Sequence, residues 1–284
     1  MYHITMITNI SKGKKVPLTS FRTLAIGSWN HPKSPEIYSQ LTLPIDTVLS
    51  TLKEYNRDKK CIVSTTHFFA KAMSICLHKY PDLNTVLIRN TLYYRKDVRL
   101  FFQTLFKTDS QYDLSGISIE APPTLSLKEL SQKVVEKTQD IRKKQDPEIN
   151  TMRKILKNCP GWLSPILVKF FDFILYTTNL SLEKIGLPKD RMGSVMISNI
   201  GSLGIEQAYP PLFPTCRCPI SVTVGKKHPH PFIINNAIEI KPAVTISFTA
   251  DHRYFDGSHV AKAFKTIEKL FKNPKLLLEW EDDQ

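Results

Sequence analysis

Glycine is scarce in this chain. Ten glycines stand against 19 prolines in 284 residues. That argues against a flexible or repetitive chain. It also leaves no glycine-rich loop of the Walker or dinucleotide type to cradle nucleotide phosphates. Cysteine is sparse and odd in number: Cys61, Cys76, Cys159, Cys216 and Cys218, at irregular spacing. No disulfide framework is expected from such a set, and a reducing, cytoplasmic setting fits it. No basic stretch followed by an apolar run opens the chain, so no secretory signal is read there. Acidic residues are in deficit, 26 against 39 Lys+Arg, for a net charge of +13. The basic residues are scattered, and no zinc-finger, basic-zipper or aromatic RNA-binding motif goes with them. Nucleic acid is therefore not expected as a partner. A solvated basic surface and a phosphorylated cofactor both remain open.

A hydrophobic content of 42% is ordinary for a globular protein, and 284 residues can bury a sizeable core. Residues 38–45 alternate polar and apolar, which predicts a strand, with Asp46 as a helix cap after it. Thr19 or Ser20 could cap a short helix from Phe21. Residues 65–80 carry Phe68, Phe69, Ala72, Met73, Cys76 and Leu77 at helical spacing. His67 at its start reads as a structural histidine. Residues 86–94 read as a strand pair turning at Arg89-Asn90-Thr91, followed by β-favouring runs at 98–106 and 114–120. Residues 126–144 are a charged amphipathic helix. Strands follow at 193–201 and 219–224, one or two more at 232–240, and another at 243–250. A helix with Val260, Ala263, Phe264, Ile267, Leu270 and Phe271 on one face comes after them, capped by Asp256 or Ser258. The mixture is α+β or α/β. One domain over 1–284 is the simplest division. Cys216-Arg217-Cys218, bracketed by Pro214 and Pro219, reads as a strand edge or loop rather than a metal half-site. His228-Pro229-His230-Pro231 reads as a stiff surface loop. No metal is expected.

The chemistry concentrates in Asp251-His252-Arg253-Tyr254-Phe255-Asp256-Gly257. A strand ends at His252, a carboxylate follows four residues later, and Gly257 is expected to let the backbone turn sharply. A histidine with an ordinary pKa near 6.5 can take and return a proton near neutrality. The spacing alone also fits a structural histidine hydrogen-bonded at a strand end.

His252-x-x-x-Asp256-Gly257 resembles the signature shared by chloramphenicol acetyltransferases and the catalytic domains of 2-oxoacid dehydrogenase acyltransferases. The longer Asp-His-Arg-x-x-Asp-Gly string is similar to the second group. So is Met196-Ile197-Ser198-Asn199-Ile200-Gly201, which resembles its Thr-Ile-Ser-Asn-Leu-Gly strand. Val16-Pro17-Leu18-Thr19-Ser20-Phe21-Arg22 and Pro81-Asp82-Leu83-Asn84 resemble two earlier segments, in the right order. The resemblance implies a two-layer α+β sandwich with a mixed sheet and helices on one face. It implies a homotrimer with active sites at subunit interfaces. It implies coenzyme A or acyl-CoA as substrate, with the cofactor-binding residues left unassigned. His252 would be the general base, Ser198 the hydrogen-bond donor to the oxyanion, and Asp256 a structural partner, best matched to Arg22. Gly257 and Asn199 support them.

The chain departs from that family in three places. No lipoyl domain or linker precedes the core, so a separate lipoyl or acyl-carrier protein, or another substrate, is implied. Asp113-Leu114-Ser115-Gly116-Ile117-Ser118-Ile119 replaces an Asp-Gly-Leu-x-x-Pro-Val stretch, which puts acceptor specificity in doubt. A helical insertion runs from about 146 to 191, with residues 162–176 nearly all apolar. That segment is too short to span a bilayer, which takes about 20 apolar residues. It reads as a buried or subunit-contacting helix, as an interfacial helix peripheral to a membrane, or as a lid on an acyl pocket. The expected function is a CoA-dependent acyltransferase acting on a thiol, hydroxyl or amine. The rival is an idle trimeric scaffold or a membrane-associated assembly protein. The acidic end after Leu276-Leu277-Leu278 predicts a free trimer rather than a shell.

Overall fold

A computed structural model describes residues 9–19, 23, 35–57, 62–107, 112–142, 160, 163–185 and 189–280. Its strands are β1 (Lys12–Lys15), β2 (Glu36–Pro44), β3 (Thr85–Ile88), β4 (Thr91–Arg95), β5 (Arg99–Lys107), β6 (Tyr112–Glu120), β7 (Val195–Asn199), β8 (Ile220–Val224), β9 (His228–Ile234) and β10 (Ala237–Asp251). Its α-helices are α1 (Asp46–Tyr55), α2 (Thr65–Lys79), α3 (Leu127–Arg142), α4 (Ser164–Asp172), α5 (Gly257–Lys272) and α6 (Lys275–Glu279).

The main sheet has the order β2-β10-β8-β7-β5-β6, with β9 paired to the first half of β10. β7 is parallel to both β5 and β8, while β10 runs antiparallel to β8 and β2. The sheet is therefore mixed. Alternation along each strand divides its side chains between two faces. Leu100, Phe102, Ile197, Val222, Ile246 and Phe248 point to the face covered by α2 and α5, in one core with Phe68, Phe69, Ile267 and Phe271. Phe101 and Met196 point the other way and pack with Cys216 and Cys218. This is the two-layer α+β arrangement expected from the sequence.

Local chemistry explains where the helices begin. Ser64 caps α2, accepting the His67 N–H at 3.3 Å, while His67 Nδ1 accepts the Ser64 N–H at 3.2 Å. Burial lowers the His67 pKa to about 4, so the ring stays neutral and can accept. His67 is structural, as the sequence suggested. Asp46 is the first residue of α1 rather than its cap; Ile45 precedes it without a side-chain cap.

A small second sheet, β1-β4-β3, stands beside the main one. Its β3–β4 hairpin turns on Arg89 and Asn90, both left-handed at φ 49° and 57°. The segment after α4 is clamped to it. The N–H of Ile10 donates to Asn179 Oδ1 at 2.9 Å, and Arg89 Nε donates to the Thr177 carbonyl at 2.6 Å. Tyr176 is buried with Val86 and Ile88, and Asp190 pairs with buried Arg95. α4 points Ile166 and Phe170 outward, as does Phe173 just after it, each more than half exposed. The apolar stretch is thus packed on one side and open on the other. No described helix is long and apolar enough to cross a membrane.

One expectation is overturned. His228-Pro229-His230-Pro231 is not a loop but part of β9, in register with residues 240–243 of β10. The prolines fall on alternate, exposed positions, so their missing N–H groups lie along one edge of an edge strand, where no ladder bond is lost.

Candidate active site

β10 is the spine of the site. It ends at Asp251, and the next five residues form a tight turn before α5. The N–H of His252 donates to the Pro35 carbonyl at 2.8 Å, and the N–H groups of Tyr254 and Phe255 both donate to the Asp251 carbonyl. His252 Nδ1 lies 2.6 Å from the Phe255 carbonyl oxygen. A carbonyl can only accept, so Nδ1 carries the proton and Nε2 keeps its lone pair. The half-buried ring is thereby held in the tautomer that a general base needs.

Asp256 turns away from that role. It caps α5, accepting the N–H groups of Ser258 at 3.0 Å and His259 at 3.4 Å, and meets His259 Nδ1 at 2.7 Å. Burial opposes its charge, but the hydrogen bonds from Ser258 and His259, with the charge of His259, outweigh burial. They hold the carboxyl well below the usual carboxylate range. Arg22, its expected partner, lies outside the described residues. Gly257 is the first residue of α5, with no left-handed φ and open space where a Cβ would stand. The expectation that glycine is needed there for a sharp turn is not met, because the extended backbone of Asp256 makes the turn.

Ser198 sits at the other end of the sheet. It is near the carboxyl end of β7, level with Thr223 of β8 and, through Thr223, with Ser247 of β10. His252 lies five residues beyond Ser247. At about 3.4 Å per residue and about 4.8 Å per strand, the two are on the order of 17 Å apart along the strands and 10 Å across them. Within one chain, Ser198 and His252 cannot touch a common reacting group.

After Ser198 the backbone turns. Asn199 Oδ1 accepts the Ser202 N–H at 3.2 Å, and the Ile200 N–H donates to the Val224 carbonyl at 3.1 Å. Gly201 is required at this point, since a Cβ there would stand 2.5 Å from the Gly225 carbonyl oxygen. Beside this turn opens a cleft of about 540 Å³. Lys53, Lys226 and Lys227 line it with Asn199, Ser202 and the first turn of α2, and among the described residues no carboxylate does. Lys226 pairs with Glu206 at 3.2 Å. A helix start and a cluster of ammonium groups suit phosphate. Sequence reading left the cofactor-binding residues unassigned. The fold brings Lys226 and Lys227 together with Lys53 and the start of α2. Among the described residues, no group of three or more His, Cys, Asp or Glu side chains could hold a metal.

The chain is similar to known proteins in sequence and in fold. Residues 180–279 match the family model described as 2-oxoacid dehydrogenases acyltransferase (catalytic domain). That stretch contains Ser198, Asn199, His252, Asp256 and Gly257. A dihydrolipoyllysine-residue acetyltransferase component of the pyruvate dehydrogenase complex from Acholeplasma laidlawii is 30% identical over 97 residues, which are 34% of this chain and 17% of that protein. The matched part is thus under a fifth of that relative's length. The Azotobacter vinelandii dihydrolipoamide acetyltransferase superposes with a TM-score of 0.63 at 17% identity, over 94% of this chain and 95% of that one. That structure was solved to investigate the catalytic roles of a serine, a histidine and an asparagine, the last two four positions apart. The cubic core of a pyruvate dehydrogenase multienzyme complex gives the same TM-score at 18% identity, with the same coverage. The fold is that of these catalytic cores.

Proposed function

On a chain whose residues 180–279 carry the 2-oxoacid dehydrogenase acyltransferase match and whose fold is that of such cores, we propose a CoA-dependent acyltransferase. Its site is built from two copies of the chain. The observation that carries the reading is the 2.6 Å contact between His252 Nδ1 and the Phe255 carbonyl. It places the proton on Nδ1 and the basic lone pair on Nε2, at the end of a strand. The four-residue spacing of His252 and Asp256 parallels that of the histidine and asparagine studied in the Azotobacter protein.

The chemistry follows. Nε2 of His252 removes the thiol proton of the attacking substrate as sulfur adds to the acyl carbonyl. The tetrahedral oxyanion receives a hydrogen bond from the hydroxyl of Ser198 on a neighbouring copy. The intermediate collapses, the acyl–heteroatom bond of the donor breaks, and the leaving atom takes the proton back from imidazolium. Asp256 does not exchange protons; it fixes the start of α5 and so the far end of the turn. The phosphates of CoA lie in the cleft of Lys53, Lys226 and Lys227 beside Ser198. A homotrimer supplies the neighbouring copy, and the acyl group comes from acyl-CoA or from a separate lipoyl or acyl-carrier protein. Three outward apolar residues in and just after α4, Ile166, Phe170 and Phe173, are available to contact a neighbouring subunit, an acyl chain or a membrane surface.

His252→Ala tests the reading. Transfer of an acyl group between CoA and a thiol should fall to background, with oligomer mass and melting temperature unchanged. A wild-type rate in the folded variant removes the base; absence of CoA binding in the wild type favours an idle scaffold.

A further inference from the structure

The turn that holds His252 is braced from both sides by residues that touch no reacting atom. On one side Arg253 forks onto Asp251. Its Nε lies 3.1 Å from both carboxylate oxygens and its Nη2 2.7 Å from Oδ2. The same carboxylate accepts the Arg253 backbone N–H at 2.9 Å. Asp251 is only 4% exposed, and a two-pronged contact to a buried carboxylate fixes direction as well as distance. On the other side the Tyr254 hydroxyl accepts the Leu87 N–H at 3.1 Å. Leu87 belongs to β3, the edge strand of the small sheet, so Tyr254 fills a place on an otherwise open strand edge. Burial, and next the charge of Asp251, push the Tyr254 phenol well above its ordinary range, so the hydroxyl stays neutral.

Both braces bear on Phe255, whose N–H donates to the carbonyl of Asp251 at 3.2 Å. Tyr254 is joined to Phe255, whose carbonyl oxygen holds His252 Nδ1. Tyr254 and Phe255 are 3% and 1% exposed, with ring centroids 5.7 Å apart, so the Phe255 residue that carries this carbonyl is closely packed. We infer that Arg253 and Tyr254 are positioning residues for His252, holding the Phe255 carbonyl where it enforces the Nδ1-protonated tautomer. The role in catalysis rests on the acyltransferase reading; the tautomer does not. The small sheet that receives Tyr254 also receives the segment 173–179, so the inserted region is joined to the turn through one hydroxyl.

The test uses full-length protein labelled with 15N-histidine, the His252 signal being the one lost in His252→Ala. Wild type should show His252 protonated at Nδ1 alone. Tyr254→Phe keeps the ring and removes the acceptor; Arg253→Lys keeps the charge and removes the fork. Each should move His252 to a mixture of tautomers. In each, kcat should fall about 10- to 100-fold, the scale of a roughly 1 Å displacement, with KM for CoA unchanged. If one variant fails to fold, the other decides. Folded variants with the wild-type tautomer overturn the inference even where transfer is robust. A tautomer that moves in a protein without transferase activity sustains the inference and removes the acyltransferase reading instead.

Discussion

The separation of Ser198 and His252 makes a quantitative prediction about mixed oligomers. Ser198 is level with Ser247 across two strands, and His252 lies five residues further on, about 17 Å along the sheet. A hydrogen bond to an oxyanion needs about 3 Å, so the proposed mechanism requires each site to draw Ser198 and His252 from different copies. Ser198→Ala and His252→Ala proteins are each inactive by this account; loss of an oxyanion donor alone costs about 100- to 1000-fold. Let the two be mixed in equal amounts, unfolded and reassembled. A site works when the copy giving serine is the His252→Ala chain and the copy giving histidine is the Ser198→Ala chain. Random closed assembly meets that condition at about one quarter of sites. Thiol release from acyl-CoA, followed colorimetrically, should therefore recover to about 25% of the wild-type rate, and two different affinity tags would isolate the mixed species. Recovery no higher than the sum of the parents would refute the shared site.

Three further outcomes follow from the same geometry. Asp256→Ala removes the cap of α5 and should cost on the order of 1 kcal/mol in thermal or denaturant melting. The folded Asp256 titrates below its unfolded value, so its stabilisation is present above the unfolded pKa near 3.9 and is lost as pH falls through the folded one. The variant should therefore lose stability at neutral pH and have a flatter acid limb. His67 works in the opposite chemical sense. Its folded pKa is about 4 against an ordinary 6.5, so the unfolded chain binds the extra proton between those values. Stability should then fall between pH 6.5 and 4, by at most about 3 kcal/mol, and His67→Gln should flatten that part of the curve. Lys53→Glu with Lys227→Glu should raise KM for CoA at least tenfold with kcat little changed. The same variant should leave KM for an acylated pantetheine, which lacks the adenosine phosphates, where it was; an equal rise for both would place the phosphates elsewhere.

How far the sequence alone could be read depended on whether the signal was local. Element order was legible because helical and two-residue periodicities are written in neighbouring residues: the 65–79 helix, the 99–107 strand and the cap of α5 all came from short windows. β9 was missed because proline argues against a strand in general, whereas two prolines at alternate positions cost an edge strand nothing. The role of Gly257 was misassigned because Asp-Gly is a turn pair elsewhere; here the aspartate caps and the glycine merely begins the helix. The cleft of Lys53, Lys226 and Lys227 joins residues more than 170 positions apart, and no window holds both sides.

The distance between Ser198 and His252 was hidden for the same reason, and it matters most. Each motif marks a strand end, and motif reading places both in one site. Strand direction decides otherwise. β7 runs parallel to β8, and β10 antiparallel to it, so the carboxyl ends of β7 and β10 point to opposite rims of the sheet. A serine and a histidine at those two ends are as far apart as the sheet is long. A chain that needs both near one carbonyl has two options: bend the sheet onto itself or bring up a second copy. The open order β2-β10-β8-β7-β5-β6, with β2 and β6 as separate edges among the described residues, argues against the first. On the proposed mechanism, oligomerisation is a requirement of the chemistry rather than an addition to it, and dilution to monomers should abolish transfer while leaving the cleft of Lys53 and Lys227 able to bind phosphate.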